Sequence, residues 1–107
     1  MPFLEPEHVA ERALAPGVTA HLIHGERMTM SLVAFAPHSQ VPLHSHPHEQ
    51  MGRVLAGDLE MTIDGETRVI KEGDGYLIPG GVAHRARSRE APCTVLDIFS
   101  PVREDYR

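Results

Sequence analysis

Three histidines alternate in the stretch "PLHSHPHEQMGRVLAG", at His44, His46 and His48, and a glutamine follows at Gln50. Neutral imidazole is a common metal ligand, and residues i and i+2 of an extended strand point to the same side. His44 and His46 can therefore converge on one ion if the chain is extended there, as Pro47 favours for the residue before it. Gln50 shares their parity, and a bulge near Pro47 can adjust its aim. The competing reading is three solvent-facing histidines in a polar loop. His48 sits within the Pro47 kink and reads as a bystander.

A second group with possible chemistry lies in "TVLDIFSPVREDYR". On a strand over Thr94–Phe99, Leu96 and Ile98 take one face and Val95, Asp97 and Phe99 the other. Both faces are mostly apolar, so Asp97 cannot reach bulk water without exposing Phe99. A carboxylate so placed needs a partner or a task. The partner would be an arginine or a backbone amide; the task would be proton transfer. Arg103 follows a turn at Pro101. It either folds back over a cavity mouth or ends as an exposed terminal arginine.

Positioning such groups takes a framework, and the chain reads as strands. "MTMSLVAFA" (Met28–Ala36) has the length and composition of a strand buried on both sides. "DLEMTIDGETRVI" alternates, with Leu59, Met61 and Ile63 on one face and Glu60, Thr62 and Asp64 on the other. Its Asp64-Gly65 pair signals a two-residue hairpin, because a type I′ turn needs positive φ at both central positions. "EGDGYLIPGG" marks a turn, a short strand and a stop. Further strands are expected near Thr19–Ile23, Met51–Ala56, Val82–Ser88 and Thr94–Phe99. The only helical hint is one turn near Glu7–Leu14. Many short strands in a chain of 107 residues predict an all-β sandwich or small barrel, read as one domain over 1–107 without repeat or linker.

Composition removes other classes. A formal charge of −5 argues against a nucleic-acid partner. One cysteine, Cys93, leaves no internal disulfide framework. No apolar run approaches the roughly 18 residues of a membrane span. The start "MPFLEPEHVAERALAPG" lacks the basic and apolar regions of a signal peptide, so the expectation is a cytoplasmic protein. In "VAHRARS", His84, Ala86 and Ser88 share a face and Arg85 and Arg87 the other, which reads as a solvated strand face. Small residues beside His84, and Gly52, Val54 and Ala56 beyond Gln50, leave room for a pocket. The methionines read as core filler, His21, His24 and His38 as surface or hydrogen-bonded residues. Cys93 reads as a turn residue without a role, Tyr76 as a pocket wall or a core residue.

"HSHPHEQMGRVLAG" followed by "GDGYLIPGGVAH" resembles the two signature motifs of the cupin superfamily. The first, G-x5-H-x-H-x3–4-E-x6-G, is matched by His44, His46, Gln50 and Gly57, with His38 in place of its first glycine and Gln50 in place of Glu. The second, G-x5-P-x-G-x2-H-x3-N, is matched by Gly73, Pro79, Gly81 and His84, with Ser88 in place of Asn. The resemblance spans roughly Gly17 to Tyr106, with a short tail over 101–107. It implies a double-stranded β-helix, or jelly-roll barrel, with His44, His46, Gln50 and His84 around one divalent transition metal ion. Such a ligand set suits Ni, Zn, Mn, Fe or Co without choosing among them. Four neutral ligands leave the ion's +2 charge uncompensated, which favours an anionic substrate and Lewis-acid chemistry over oxygen activation.

"PGVTAHLIHGERMT", "HSHPHEQMGRVLAGDLEMTIDGE" and "VLDIFSPVREDY" are similar to the small pectin-degradation cupins of the KdgF type. That resemblance implies a lyase- or isomerase-type conversion of 4,5-unsaturated monouronates, from pectin or alginate, to linear 5-keto-4-deoxyuronates. It places the catalytic positions on Asp97, Phe99 and Arg103, makes the partner a small anionic sugar, and implies a homodimer. Arg53 departs from the family, standing where an aromatic is expected; its parity opposes that of Gln50, so it should point away from the metal. Ala56 and Asp58 flank Gly57 where "EGE" is usual. The alternatives are an oxygen-using cupin, such as a small dioxygenase, and a binding cupin without chemistry.

Overall fold

A computed structural model describes residues 3–107. Ten strands follow in order: β1 (Ala10–Ala15), β2 (Val18–His24), β3 (Thr29–Phe35), β4 (Gln40–His44), β5 (Glu49–Ala56), β6 (Asp58–Ile63), β7 (Glu66–Lys71), β8 (Gly75–Ile78), β9 (His84–Ser88) and β10 (Cys93–Ser100). They form a six-stranded sheet, β1-β2-β3-β10-β5-β8, and a four-stranded sheet, β4-β9-β6-β7. Neighbours pair antiparallel throughout. The inner faces meet in a jelly-roll barrel whose core includes Val18, Leu22, Val33, Phe35, Val54 and Leu59. β3, β9 and β10 alternate buried inward residues with more exposed outward ones, so burial of one face fixes their register. The β6–β7 hairpin turns on Asp64 (φ 50) and Gly65 (φ 80), the pair of positive φ angles expected of a type I′ turn. Among the described residues no helix is long and apolar enough to cross a membrane.

Several expectations need correction. Ala10–Ala15 is an edge strand rather than a helical turn, and a short 3-10 turn precedes it at Pro6–His8. The local pattern there was too weak to oppose pairing with β2. β3 is buried on one face only: Thr29, Ser31, Val33 and Phe35 point inward, while Met30 and Leu32 are 44 % and 41 % exposed. An apolar run does not distinguish a covered sheet from an open apolar face. Here the open face is continuous, because Ile23, Met30, Ile98, Met51 and Leu77 stand in register across five strands. Cys93 is not in a turn. It opens β10, is buried in the core, and burial pushes its thiol up to about 11.

The same register sets an inner row that matters for the site: Leu22, Ser31, Asp97, Gly52 and Tyr76. The next inner row brings Thr29, Phe99, Gln50 and Ile78 together. Asp97, Phe99 and Gln50 are thus neighbours because β10 lies between β3 and β5.

Candidate active site

The histidines come from three places. His44 ends β4, His84 opens β9, and the two are paired directly across the four-stranded sheet. His46 is not on the strand with His44, as expected, but in the connection between β4 and β5. The ladder irregularity lies between Val41 and His44, not near Pro47. His46 still turns inward, because its carbonyl accepts a bond from Gly81 N–H at 2.8 Å. That contact ties the first motif to the glycine-rich turn of the second. One ring nitrogen from each of His44, His46 and His84 lies within 4.8 Å of the others, a group able to hold a metal ion. His48 is outside it.

Backbone carbonyls fix the tautomers. Nδ1 of His44 faces the Pro42 carbonyl at 2.9 Å, that of His46 the His48 carbonyl at 3.1 Å, and that of His84 the Val82 carbonyl at 2.9 Å. A carbonyl can only accept, so each Nδ1 carries the proton and each Nε2 keeps its lone pair. Burial, helped by the charge of Arg103 and by neighbouring His84, lowers His46 to about 4. Burial also lowers His84. Both are therefore neutral near pH 7, the form that ligates metal. His84 Nε2 is buried with no partner. Gln50 Oε1 stands 3.1 Å from His46 Nε2; with Nδ1 protonated these are two facing acceptors, an arrangement a cation relieves. The donor set fits a divalent ion.

Asp97 lies deeper on the six-stranded sheet. Desolvation raises its carboxyl to about 6, opposed by the Tyr76 phenol, the Gln50 side chain and the Arg103 charge. A cation bound beside Gln50 would pull it lower still. Tyr76 donates its phenol hydrogen to Asp97 Oδ1. Neither structural partner expected for Asp97, an arginine or a backbone amide, is what it bonds.

Arg103 folds back over the cavity. Its side chain is 4 % exposed. Its backbone N–H donates to Thr29 Oγ1 at 2.9 Å, and that hydroxyl in turn faces His24 Nδ1 at 2.9 Å. Asp105 takes the Nε and Nη2 edge at 3.0 and 2.8 Å. The guanidinium lies over Tyr106, 3.9 Å from the ring centroid, and 4.8 Å from that of Phe99. Nη1 is buried without a partner. One guanidinium edge is therefore occupied, and the Nη1 amino group is left unpartnered on a residue that lines the cavity. Phe99 packs edge-on against His46, with ring centroids 5.6 Å apart. Arg53 is exposed, on the side of β5 away from Gln50. Thr29, Tyr76 and Asp105 complete the surroundings; Tyr76 lines the cavity, the pocket wall that the sequence offered as one reading, and sequence patterning gave Thr29 and Asp105 no role.

Comparisons with known proteins place the fold. A family description of the cupin domain matches residues 31–99. The pectin degradation protein KdgF of Dickeya dadantii is 34 % identical over 95 residues, 87 % of this chain and 86 % of that one. The structure of KdgF from a Halomonas species superposes with a TM-score of 0.84 at 30 % identity, covering 96 % of this chain and 94 % of that one. An RmlC-like cupin from Shewanella frigidimarina shares the fold, with a TM-score of 0.89 at 24 % identity over 100 % and 96 % of the two chains. The chain belongs to the cupin family and, within it, to the small KdgF-like proteins.

Proposed function

We propose that the protein converts 4,5-unsaturated monouronates, released from pectin or alginate, into linear 5-keto-4-deoxyuronates. One observation carries this reading: a histidine cluster able to hold a metal, the buried carboxyl of Asp97 and the buried guanidinium of Arg103, its Nη1 unpartnered, border a single cavity. The similarity to a protein named for pectin degradation supports the substrate class.

The substrate is a cyclic hemiacetal whose ring oxygen is bonded to an alkene carbon. Opening the ring passes the hydroxyl proton to a base and gives an aldehyde and an enolate on the former ring oxygen; ketonisation then adds one proton at C4. Asp97 carries that proton, since a carboxyl near neutrality can both accept and give one. Arg103 Nη1 donates to the substrate carboxylate, and Phe99 packs against the sugar ring. A divalent ion held by His44, His46, Gln50 and His84 would supply Lewis-acid stabilisation of negative charge on the substrate. The cavity encloses about 50 Å³ and is lined by His44, Gln50, His84, Asp97, Phe99 and Arg103. We read the working form as a cytoplasmic homodimer; the open apolar row from Ile23 to Leu77 supports a second copy.

Proton NMR of an unsaturated monouronate with the purified protein tests the reaction, after subtraction of the spontaneous rearrangement. Conversion above background is expected. No excess rate on either a pectin- or an alginate-derived substrate would overturn the reading, and oxygen uptake in the same assay would favour an oxygen-using cupin.

The neutrality of Gln50 gives a prediction. Gln50→Glu should keep its metal but turn over more slowly, because it sets a second carboxylate beside Asp97 and repels an anionic substrate. His46→Ala/His84→Ala should lose the metal. Elemental analysis with the NMR assay checks both. Undiminished turnover of Gln50→Glu, or equal metal in the double variant and wild type, contradicts the assignment.

A further inference from the structure

Asp97 and Tyr76 are not on adjacent strands. β10 carries Asp97, β8 carries Tyr76, and β5 runs between them. Strands two apart in a sheet are separated by about 9.5 Å, a gap that only a long side chain crosses, and only if the intervening residue stays out of the way. The intervening residue is Gly52, in register with both. A Cβ built on Gly52 would lie 2.2 Å from Tyr76 Cζ, 2.3 Å from its Oη and 2.4 Å from Asp97 Oδ1. Glycine inside a strand weakens it, and is expected where another group must pass close to the backbone. The passage here delivers one hydrogen bond, from the phenol to Asp97 Oδ1.

We propose that Tyr76, reaching across Gly52, is a positioning residue that fixes the Asp97 carboxyl for proton transfer. The proposal rests on the reading of Asp97 as the proton carrier. With Oδ1 held by the phenol, rotation of the carboxyl is arrested. Tyr76 lines the cavity with Asp97, Gln50 and Arg103, yet its hydroxyl is spent on Asp97. A group held in this way acts through its neighbour, and losing such support typically costs about 10–100-fold.

The test is a set of variants assayed by NMR turnover and calorimetric binding. Tyr76→Phe keeps the ring and deletes the hydrogen bond. Its kcat should fall about 10–100-fold, with KM and metal content near wild type. Combining Tyr76→Phe with Asp97→Asn should cost no more than Asp97→Asn alone, because the tyrosine works only through Asp97. Gly52→Ala should lower kcat at least as far as Tyr76→Phe does, because its Cβ meets both Tyr76 and Asp97; wild-type kcat in Gly52→Ala would count against the proposal. Wild-type kcat in Tyr76→Phe, while Asp97→Asn is impaired, overturns the proposal alone. Multiplying losses with Asp97→Asn also overturn it, since a merely structural tyrosine behaves that way. Wild-type turnover in Asp97→Asn overturns the underlying reading instead. A readout without substrate is a slowly exchanging, downfield phenol proton that disappears in Tyr76→Phe; its absence from the wild type would refute the pair itself, whatever the activity.

Discussion

Asp97→Asn should slow ketonisation about 10²–10⁴-fold, the usual cost of losing a general acid–base group, while binding survives. Asparagine preserves shape, and its carbonyl can still accept the Tyr76 phenol that Asp97 Oδ1 accepts now. What it cannot do is take up the hemiacetal proton or return one to C4. The side chain is buried inside the barrel, in register with Ser31 and Gly52. Affinity should stay level or rise, because one of two facing carboxylates has become neutral. The pair of measurements is NMR turnover and calorimetry on the same preparation. Wild-type turnover would remove the proton-transfer role and leave Asp97 as a structural partner of Tyr76.

The parts of the site that chemistry ties to short spacing could be read from the chain. His44, His46 and Gln50 share parity, and His84 recurs at the distance the second motif requires. The geometry that brings them together was less accessible. His46 was expected on an extended strand, but the strand ends at His44, and the inward turn of His46 depends on a bond from Gly81 thirty-odd positions away in the fold's other motif. Asp97 was legible as a buried carboxyl because β10 alternates between two apolar faces. Its partner was not, since Tyr76 lies 21 residues away in sequence, and only the order β10-β5-β8 makes them neighbours. Asp105 was hidden for a different reason: a carboxylate two residues after an arginine near a terminus usually means solvent. The open apolar face of β3 was misread because composition records how greasy a strand is, not whether a second layer covers it.

Arg103→Ala should act on binding rather than on proton transfer. The guanidinium is buried, its Nη1 has no partner, and Asp105 holds the opposite edge. Arg103 holds Asp105 in turn, at about 2, so the pair stays ionised well below neutral pH. An incoming carboxylate therefore meets a guanidinium already oriented by Asp105, Tyr106 and Phe99. Truncating one partner of such a buried charge-assisted contact costs about 2–5 kcal/mol, read here as weaker calorimetric binding and a raised KM. Some loss will also fall in kcat if the contact tightens in the transition state. Arg103→Lys separates charge from shape: a lysine keeps the cation but loses the planar contact with Tyr106 and the two-point bond to Asp105, so affinity should recover only in part. Thermal unfolding of both variants controls for loosening of the tail, which the guanidinium helps to hold down. Wild-type affinity in Arg103→Ala, with the fold intact, would show that the substrate carboxylate is bound elsewhere, and that the unpartnered Nη1 group serves another purpose.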